Sequence, residues 1–381
     1  MQESLVRSTD DLFVTMILTS LALQDFRNYA KQTVTFTSGT TLVLGANSTG
    51  KTNLLEAIWM LSLGKSFRAD KDSEAIRWGH ELARLHATVS DTDDKKNIEL
   101  VLTHGIVAGQ KAPLKRFLIN GIARRMIDFA GNVLVVLFWP EHLALITNSP
   151  SLRRRYLDSV LSQVDREYRR NLGSYERGLT QRNKLLELIS EGRAARTQLA
   201  FWDQLLIKAG SYLTQKRAAF IDFVNAHDDT SMDYAIVYDK SVISGTRLLQ
   251  YAREEAAAMV TLVGPHRDDF NIVTGDTKDP RVSLSAYGSR GEQRLAVLWL
   301  KLAELAFVEH ALGERPILLL DDIFSELDDA HRKLVFDLIG KQQTIITSAD
   351  RDIPSLLRTN TERDVRVIEL PLTKELTGAV V

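Results

Sequence analysis

The chain has 381 residues, 44% of them hydrophobic and 25% charged, with a formal net charge of −1. Those proportions suit a soluble globular protein with room for two or three compact units. The absence of cysteine excludes disulfides and cysteine-held zinc. No apolar run approaches the ~20 residues that cross a bilayer, and Met1–Arg7 lacks the basic-then-apolar order of a signal peptide. A cytoplasmic protein with no membrane partner is therefore expected.

Residues 1–15 are polar and aperiodic and read as a disordered tail. Met16 follows directly and is a second candidate for the start of translation, beside Met1. Two alternating runs come next, Ile17–Leu23 and Thr33–Thr37, separated by Phe26-Arg27-Asn28-Tyr29. Alternation of this kind predicts strands. The apolar run Thr41–Leu44 then leads into Gly45-Ala46-Asn47-Ser48-Thr49-Gly50-Lys51-Thr52, and an amphipathic run follows. Strand, glycine-bounded loop and helix at the spacing G-x-x-x-x-G-K-T make a phosphate-binding P-loop. Glycine lets the backbone approach a ligand, consecutive amides form an anion nest, and the helix start adds its positive dipole end. Lys51 is the residue to reach β- and γ-phosphate oxygens, and Thr52 the residue to ligate Mg²⁺.

After that helix, residues 82–90, 97–103 and 115–119 predict an antiparallel lobe, with Asn120-Gly121 as a hairpin turn. Residues 132–139 predict a buried strand ended by Pro140. From about 150 to 260 helical spacing dominates. Residues 151–220 hold fourteen Lys/Arg against seven Asp/Glu, with clusters at Arg153-Arg154-Arg155, Arg169-Arg170 and Lys216-Arg217. That surplus reads either as solvated helix faces or as a phosphate-facing surface. There is no sustained heptad, so a compact helical lid or arm is expected, not a long coiled coil. Arg281–Ser285 predicts a strand, and a long helix is expected over about 292–312. The division expected is a discontinuous head, 16–148 and 258–381, with a helical lid at 149–257.

Ile317–Asp322 is an aliphatic run ending in two acids. A strand buried on both faces reads this way, and ligands of open α/β sheets sit at strand carboxyl ends. Asp321 is thus placed to hold Mg²⁺ and Asp322 to orient the attacking water. Lys51, Asp321 and Asp322 are the candidate catalytic residues. Gly288-Ser289-Arg290-Gly291-Glu292 opens the long helix and matches the signature loop of ABC-type ATPases. In that loop Ser289, Gly291 and backbone amides would cap the γ-phosphate of a nucleotide on a second subunit. Ser289 with Glu292 also fits an ordinary capping box. Ser325-Glu326-Leu327-Asp328 stands at the D-loop position. With one P-loop and one signature loop per chain, an isologous homodimer enclosing two ATP molecules is the economical assembly.

These motifs resemble the RecF family of bacterial recombination and repair ATPases. The likeness is carried by Phe26–Tyr29, Gly50–Ile58, Pro140–Leu143, Pro150 with Arg153–Asp158, Gln181–Leu186, Leu262-Val263-Gly264-Pro265-His266-Arg267-Asp268-Asp269 and Asp321–Asp328. It runs from about Met16 to near 370 and makes Met16 the family-like start. The resemblance implies an α/β, ABC/SMC-like P-loop ATPase head with an antiparallel β lobe and a mostly helical lid. It implies ATP and Mg²⁺ as cofactors, ATP-driven dimerisation and slow, DNA-dependent hydrolysis. It also implies binding to gapped or junction DNA without sequence preference, action with RecO and RecR to load a recombinase, and a part in the damage response. The sequence departs from the pattern in three places. Arg290 and Glu292 stand where glutamines are more usual, Asp322 replaces the ABC glutamate, and Thr347-Ser348-Ala349-Asp350 lacks a switch histidine. A zinc-hooked SMC protein, an OLD-type nuclease and a transporter subunit are the other readings. The missing cysteines, the short stretch after Asp350 and the basic insert disfavour them in turn.

Overall fold

The computed structural model describes residues 14–90, 94–227, 232–274, 282–325, 329–360 and 365–371. The chain divides into two compact units: one up to Pro140 and again from Val308, the other Glu141–Phe307.

The first unit is built on two sheets. One is antiparallel and six-stranded, in the order Ile122–Arg124, Lys115–Ile119, Lys95–Thr103, Leu82–Ser90, Ile17–Phe26, Tyr29–Thr35. Its central strands alternate: Leu21, Leu23, Leu85, Ala87, Ile98 and Leu100 are buried on one face, while the other face carries polar side chains. This is the pattern of a sheet with one wet face. The second sheet is parallel, in the order Val135–Phe138, Ile317–Asp321, Thr344–Ser348, Thr40–Leu44, Val365–Glu369. Its central strands are buried throughout, Thr40–Leu44, Ile317–Asp321 and Thr344–Ser348 alike. Helix Lys51–Leu63 packs against strands of both sheets. It therefore loses its polar face: Leu54 through Leu63 are all buried, Glu56 and Ser62 included. Gln343 ties the sheets together. Its Nε2 donates to Leu18 O (2.8 Å) and Thr37 O (2.6 Å), and its Oε1 accepts from Leu18 N (2.7 Å).

The second unit holds helices Pro150–Val164, Arg166–Ser190 and Ala200–Ala226. The last two are 25 and 27 residues long, or roughly 40 Å at 1.5 Å per residue, a packed pair and not an extended arm. Leu157, Val160, Leu206, Leu213, Phe220, Phe270 and Trp299 form its core.

Two of the expected elements need correction. The stretch taken as helical contains a strand, Tyr234–Asp239, paired antiparallel with Asp269–Thr274. Its β-branched and aromatic residues carried that signal. The strand expected at 281–285 is Val282–Ser283 only, and Leu284–Tyr287 turns into a short helix; Arg281 lies outside the described residues. The long helix starts at Arg290. By compactness, residues 258–307 group with the helices, because the Asp269–Thr274 strand packs on Pro150–Val164 and pairs with Tyr234–Asp239. The expected disordered tail, 1–15, lies outside the described residues except for Val14 and Thr15, which instead form a short strand paired in parallel with Glu314–Arg315.

Candidate functional site: a phosphate loop facing two acids

The phosphate loop leaves the buried strand Thr40–Leu44 and enters helix Lys51–Leu63. Gly50 stands just before the helix with φ of 106°, a conformation that favours glycine. Gly45 is held close: a Cβ there would lie 2.6 Å from Thr49 Oγ1. The loop closes on itself, with Thr49 Oγ1 donating to Ala46 O at 2.9 Å. Lys51 lies across it, its Nζ donating to Gly45 O (2.8 Å) and Ala46 O (3.0 Å). Burial lowers the Lys51 pKa, against the pull of Asp322 and Asp321.

Asp321 ends the Ile317–Asp321 strand next to this loop. Thr52 Oγ1 donates to Asp321 Oδ2 at 2.8 Å, a bond between residues 269 apart in sequence. Thr347 Oγ1 donates to Asp321 Oδ1 at 2.5 Å. Burial raises the pKa of Asp321, and these two hydroxyls and Lys51 oppose it. Asp322 has φ of 49°, an uncommon left-handed conformation for a residue with a side chain. Its N–H donates to Thr347 O at 3.1 Å, and Ser348 Oγ donates to its Oδ1 at 3.4 Å. Strained residues of this kind concentrate where function requires them. Lys51, Thr52, Asp321 and Asp322 are thus one cluster inside the first unit. Its donors toward a metal are hard oxygens, Thr52 Oγ1 and the Asp321 carboxylate. Such a set suits Mg²⁺, which keeps water and substrate phosphate in its remaining positions.

The signature loop belongs to the second unit. Ser289 N donates to Glu292 Oε2 at 2.8 Å, and Glu292 N to Ser289 Oγ at 3.3 Å, so the capping box is formed. Those bonds hold the Glu292 carboxyl below its ordinary pKa. Gln293 fixes the loop from beneath by donating to Leu284 O (2.9 Å) and Gly288 O (3.1 Å). Ser289, Arg290 and Gly291 are exposed. The D-loop position, 326–328, lies outside the described residues.

The Gly264–Asp269 motif and the basic clusters turn out to be one construction. Arg217, 2% exposed, donates to Tyr168 Oη (3.0 Å), Pro265 O (2.7 Å), Asp268 Oδ2 (2.9 Å) and Asp158 Oδ1 (2.8 Å). Arg182 donates to Asp203 (2.7 Å), Thr261 Oγ1 (2.9 Å) and Glu255 (2.7 Å). Arg153 forks onto Asp269 at 2.6 and 2.9 Å. Arg154 reaches Asp268 O, Arg169 reaches Ser162 O, Arg170 pairs with Glu167 and Lys216 with Asp165. Arg153, Arg182 and Arg217 are therefore internal scaffold and removed from any phosphate-facing surface, whereas Arg155, Arg166, Arg177 and Lys184 remain exposed. His266 completes the arrangement. Burial lowers its pKa to about 4, so the ring is neutral at pH 7. Its Nε2 lies 3.0 Å from Thr261 O and its Nδ1 2.7 Å from Tyr175 Oη. A carbonyl can only accept, so Nε2 carries the proton and Nδ1 accepts from the tyrosine. Gly264, at φ of 129°, passes so near that a Cβ would stand 2.2 Å from Tyr175 Oη.

Sequence reasoning missed the hydroxyls of Thr347 and Ser348, which appeared only as the place where a histidine was absent. Their signal was the polar pair ending a buried parallel strand beside two acids.

Known proteins resemble the chain over most of its length. The family model described as "RecF/RecN/SMC N terminal domain" matches residues 17–362. The DNA replication and repair protein RecF of Roseiflexus castenholzii is 38% identical over 88% of this chain and 94% of its own length. That of Herpetosiphon aurantiacus is 38% identical with the same coverage. A solved structure of the recombination mediator protein RecF-ATP in the RecFOR pathway superposes with a TM-score of 0.80 at 31% identity, over 89% of this chain and 93% of that one. An Smc head domain with coiled coil and joint from Pyrococcus yayanosii shares the fold, with a TM-score of 0.51, 14% identity and coverage of 93% and 95%. The chain belongs to the RecF family.

Proposed function

We propose that the chain is an ATP-dependent DNA-binding protein of recombinational repair and replication maintenance, working in the cytoplasm as a nucleotide-switched homodimer. The observation that carries this reading is the 2.8 Å bond from Thr52 to Asp321, which joins the phosphate loop to the acid strand. The amides of Gly45–Thr52 bind the β- and γ-phosphates and Lys51 neutralises their charge. Thr52 and Asp321 would hold Mg²⁺, which when bound would add to that charge neutralisation. Asp322 orients the water that attacks the γ-phosphorus as the bond to the ADP oxygen breaks. Ser289 and Gly291 cap the γ-phosphate of a nucleotide bound by a second copy. Asp322 is one methylene shorter than glutamate, which fits slow turnover and a switching role for hydrolysis.

The DNA bound is gapped or junction DNA, contacted through phosphates and not base edges. With Arg153, Arg182 and Arg217 internal, the wet face of the antiparallel sheet is a second cationic surface beside the exposed cations of the helical unit. Register places Lys31, Gln24, Arg84, Val101 and Arg116 in one row across five strands. Lys31, Arg84 and Arg116 are exposed and stand two strand steps apart. At about 4.8 Å per step that is roughly 10 Å, close to three phosphate rises of 3.4 Å along one strand. RecR- and RecO-type mediators are the proposed protein partners.

The test is the ATP hydrolysis rate with no DNA, duplex, single-stranded and gapped DNA, at two salt concentrations. Stimulation by gapped DNA that weakens at higher salt is expected. A rate indifferent to every DNA would remove the DNA-dependent part of this reading, and failure of the protein to bind ATP would remove the whole.

A further inference from the structure

We infer that the hairpin turn Asp25–Tyr29 is a positioning element for the phosphate loop, with Asn28 and Tyr29 aiming two of its amides at the bound phosphate. This rests on the nucleotide-binding reading above. The turn joins the strands Ile17–Phe26 and Tyr29–Thr35 of the antiparallel sheet. From it Asn28 Nδ2 donates to Thr49 O at 3.0 Å and Tyr29 Oη to Gly50 O at 2.9 Å. A trans peptide is planar, with its C=O and N–H pointing in opposite directions. The carbonyl of Thr49 shares its peptide with the amide of Gly50, and the carbonyl of Gly50 with that of Lys51. Gripping both carbonyls from behind therefore turns both N–H groups the other way, into the nest of the loop. Gly50 leaves the room this grip needs: a Cβ would meet the Asn28 amide at 2.7 Å and Tyr29 Oη at 2.9 Å.

The hairpin is held under strain. Seven non-glycine residues have positive φ among those described, and Asp25 (48°), Arg27 (53°), Ser48 (68°) and Asp322 (49°) all lie in this turn, the phosphate loop or the acid strand's end. Such conformations persist only where the surroundings over-determine them, and here they do. Arg27 N donates to Ala75 O and Arg77 N to Asp25 O, both at 2.8 Å. The Arg27 guanidinium forks onto Glu56 at 2.8 and 2.6 Å. Glu56 is fully buried and also accepts from Arg68 and from Ser66 Oγ (2.6 Å). Asn53 Nδ2 donates to Asn28 Oδ1 at 2.7 Å, which fixes the Asn28 amide with its Nδ2 toward Thr49, and Arg68 bonds to Asn53 in turn. The turn is thus clamped to the helix it serves.

The experiment measures dissociation constants for ATP and ADP with Mg²⁺ on the full chain, wild type against Tyr29→Phe and Asn28→Ala, together with the Tm of each without nucleotide. Tyr29→Phe removes one hydroxyl. Loss of one neutral hydrogen bond predicts about fivefold weaker binding, equal for the two nucleotides because both carry the β-phosphate that these amides meet. A purely structural role would lower Tm and leave the constants of the folded protein unchanged. Constants within twofold of wild type in both variants overturn the inference while leaving nucleotide binding in place. Wild type that binds neither nucleotide overturns the functional reading and this one with it. Should Tyr29→Phe fail to fold, the half-buried Asn28→Ala decides alone.

Discussion

Replacing Arg217 by methionine is the sharpest test of where the basic residues of the helical unit act. The guanidinium is 2% exposed and makes four hydrogen bonds, two of them to the carboxylates of Asp158 and Asp268. Methionine fills much of the volume and makes none of them. Asp268, itself 0% exposed, would keep the Tyr238 hydroxyl (2.5 Å) and Ser241 N–H (2.8 Å) as carboxylate donors and the charge of Arg154 nearby, but would lose its direct ion pair. Removing one partner of a buried ion pair costs about 3–5 kcal/mol, a large part of the ~5–15 kcal/mol that holds a domain folded. Arg155→Met, at an exposed position of the Pro150–Val164 helix, should stay within about 0.5 kcal/mol. Guanidinium denaturation gives the numbers, and hydrogen exchange shows whether the loss falls in the Glu141–Phe307 unit, since two units need not unfold as one. A loss below 1 kcal/mol would refute the scaffold assignment. So would a normally folded variant whose DNA affinity falls with a shallower salt dependence, because Arg217 would then be a phosphate contact.

Further outcomes are expected elsewhere. Asp322→Asn should retain ATP binding and accumulate an ATP-bound dimer; normal turnover would remove Asp322 from the mechanism. Arg84→Ala with Arg116→Ala should weaken DNA binding regardless of sequence and reduce the log–log salt slope by about 1.8, at 0.9 per phosphate contact; an unchanged slope would clear the sheet face of that role. His266 gives a pH signature. Its folded-state pKa of about 4 lies below its ordinary 6.5 because of burial, so between those values the unfolded chain binds the proton and the folded chain does not. Its contribution is whole above pH 6.5 and is lost as pH falls toward 4, at most about 3 kcal/mol. Thermal melts across that window should fall more steeply for wild type than for His266→Gln, and parallel curves would show that the ring is not held neutral.

The phosphate loop and the acid strand were legible because each joins an element period to residues whose chemistry has few other uses. Ile317–Asp321 is a short aliphatic run that fits a strand buried on both faces, and the P-loop glycines are spaced by the ligand. The arginines were not legible in that way. Arg153 and Arg155 are neighbours on one helix, yet one forks onto Asp269 and the other faces solvent. What separates them is a carboxylate more than a hundred residues away, which local sequence does not carry. The strand Tyr234–Asp239 differs: its aromatic and β-branched residues gave a local signal that the helical spacing before it outweighed, and only its pairing partner, Asp269–Thr274, is distant in sequence. The roles of Asn28 and Tyr29 depend on carbonyls of another loop, so in the sequence Phe26–Tyr29 showed as a turn and as part of the family likeness, without a role.

Lys51 and Ser289 are proposed to serve one γ-phosphate from two copies of the chain. Sedimentation velocity with Mg²⁺ and a slowly hydrolysed ATP analogue, against ADP, tests it most directly. The account predicts a dimer with the analogue and a monomer with ADP. It further predicts that Lys51→Met neither binds nor dimerises, while Ser289→Arg binds nucleotide and stays monomeric. Ser289→Arg dimerising as wild type does, or wild type dimerising alike with either nucleotide, would contradict it.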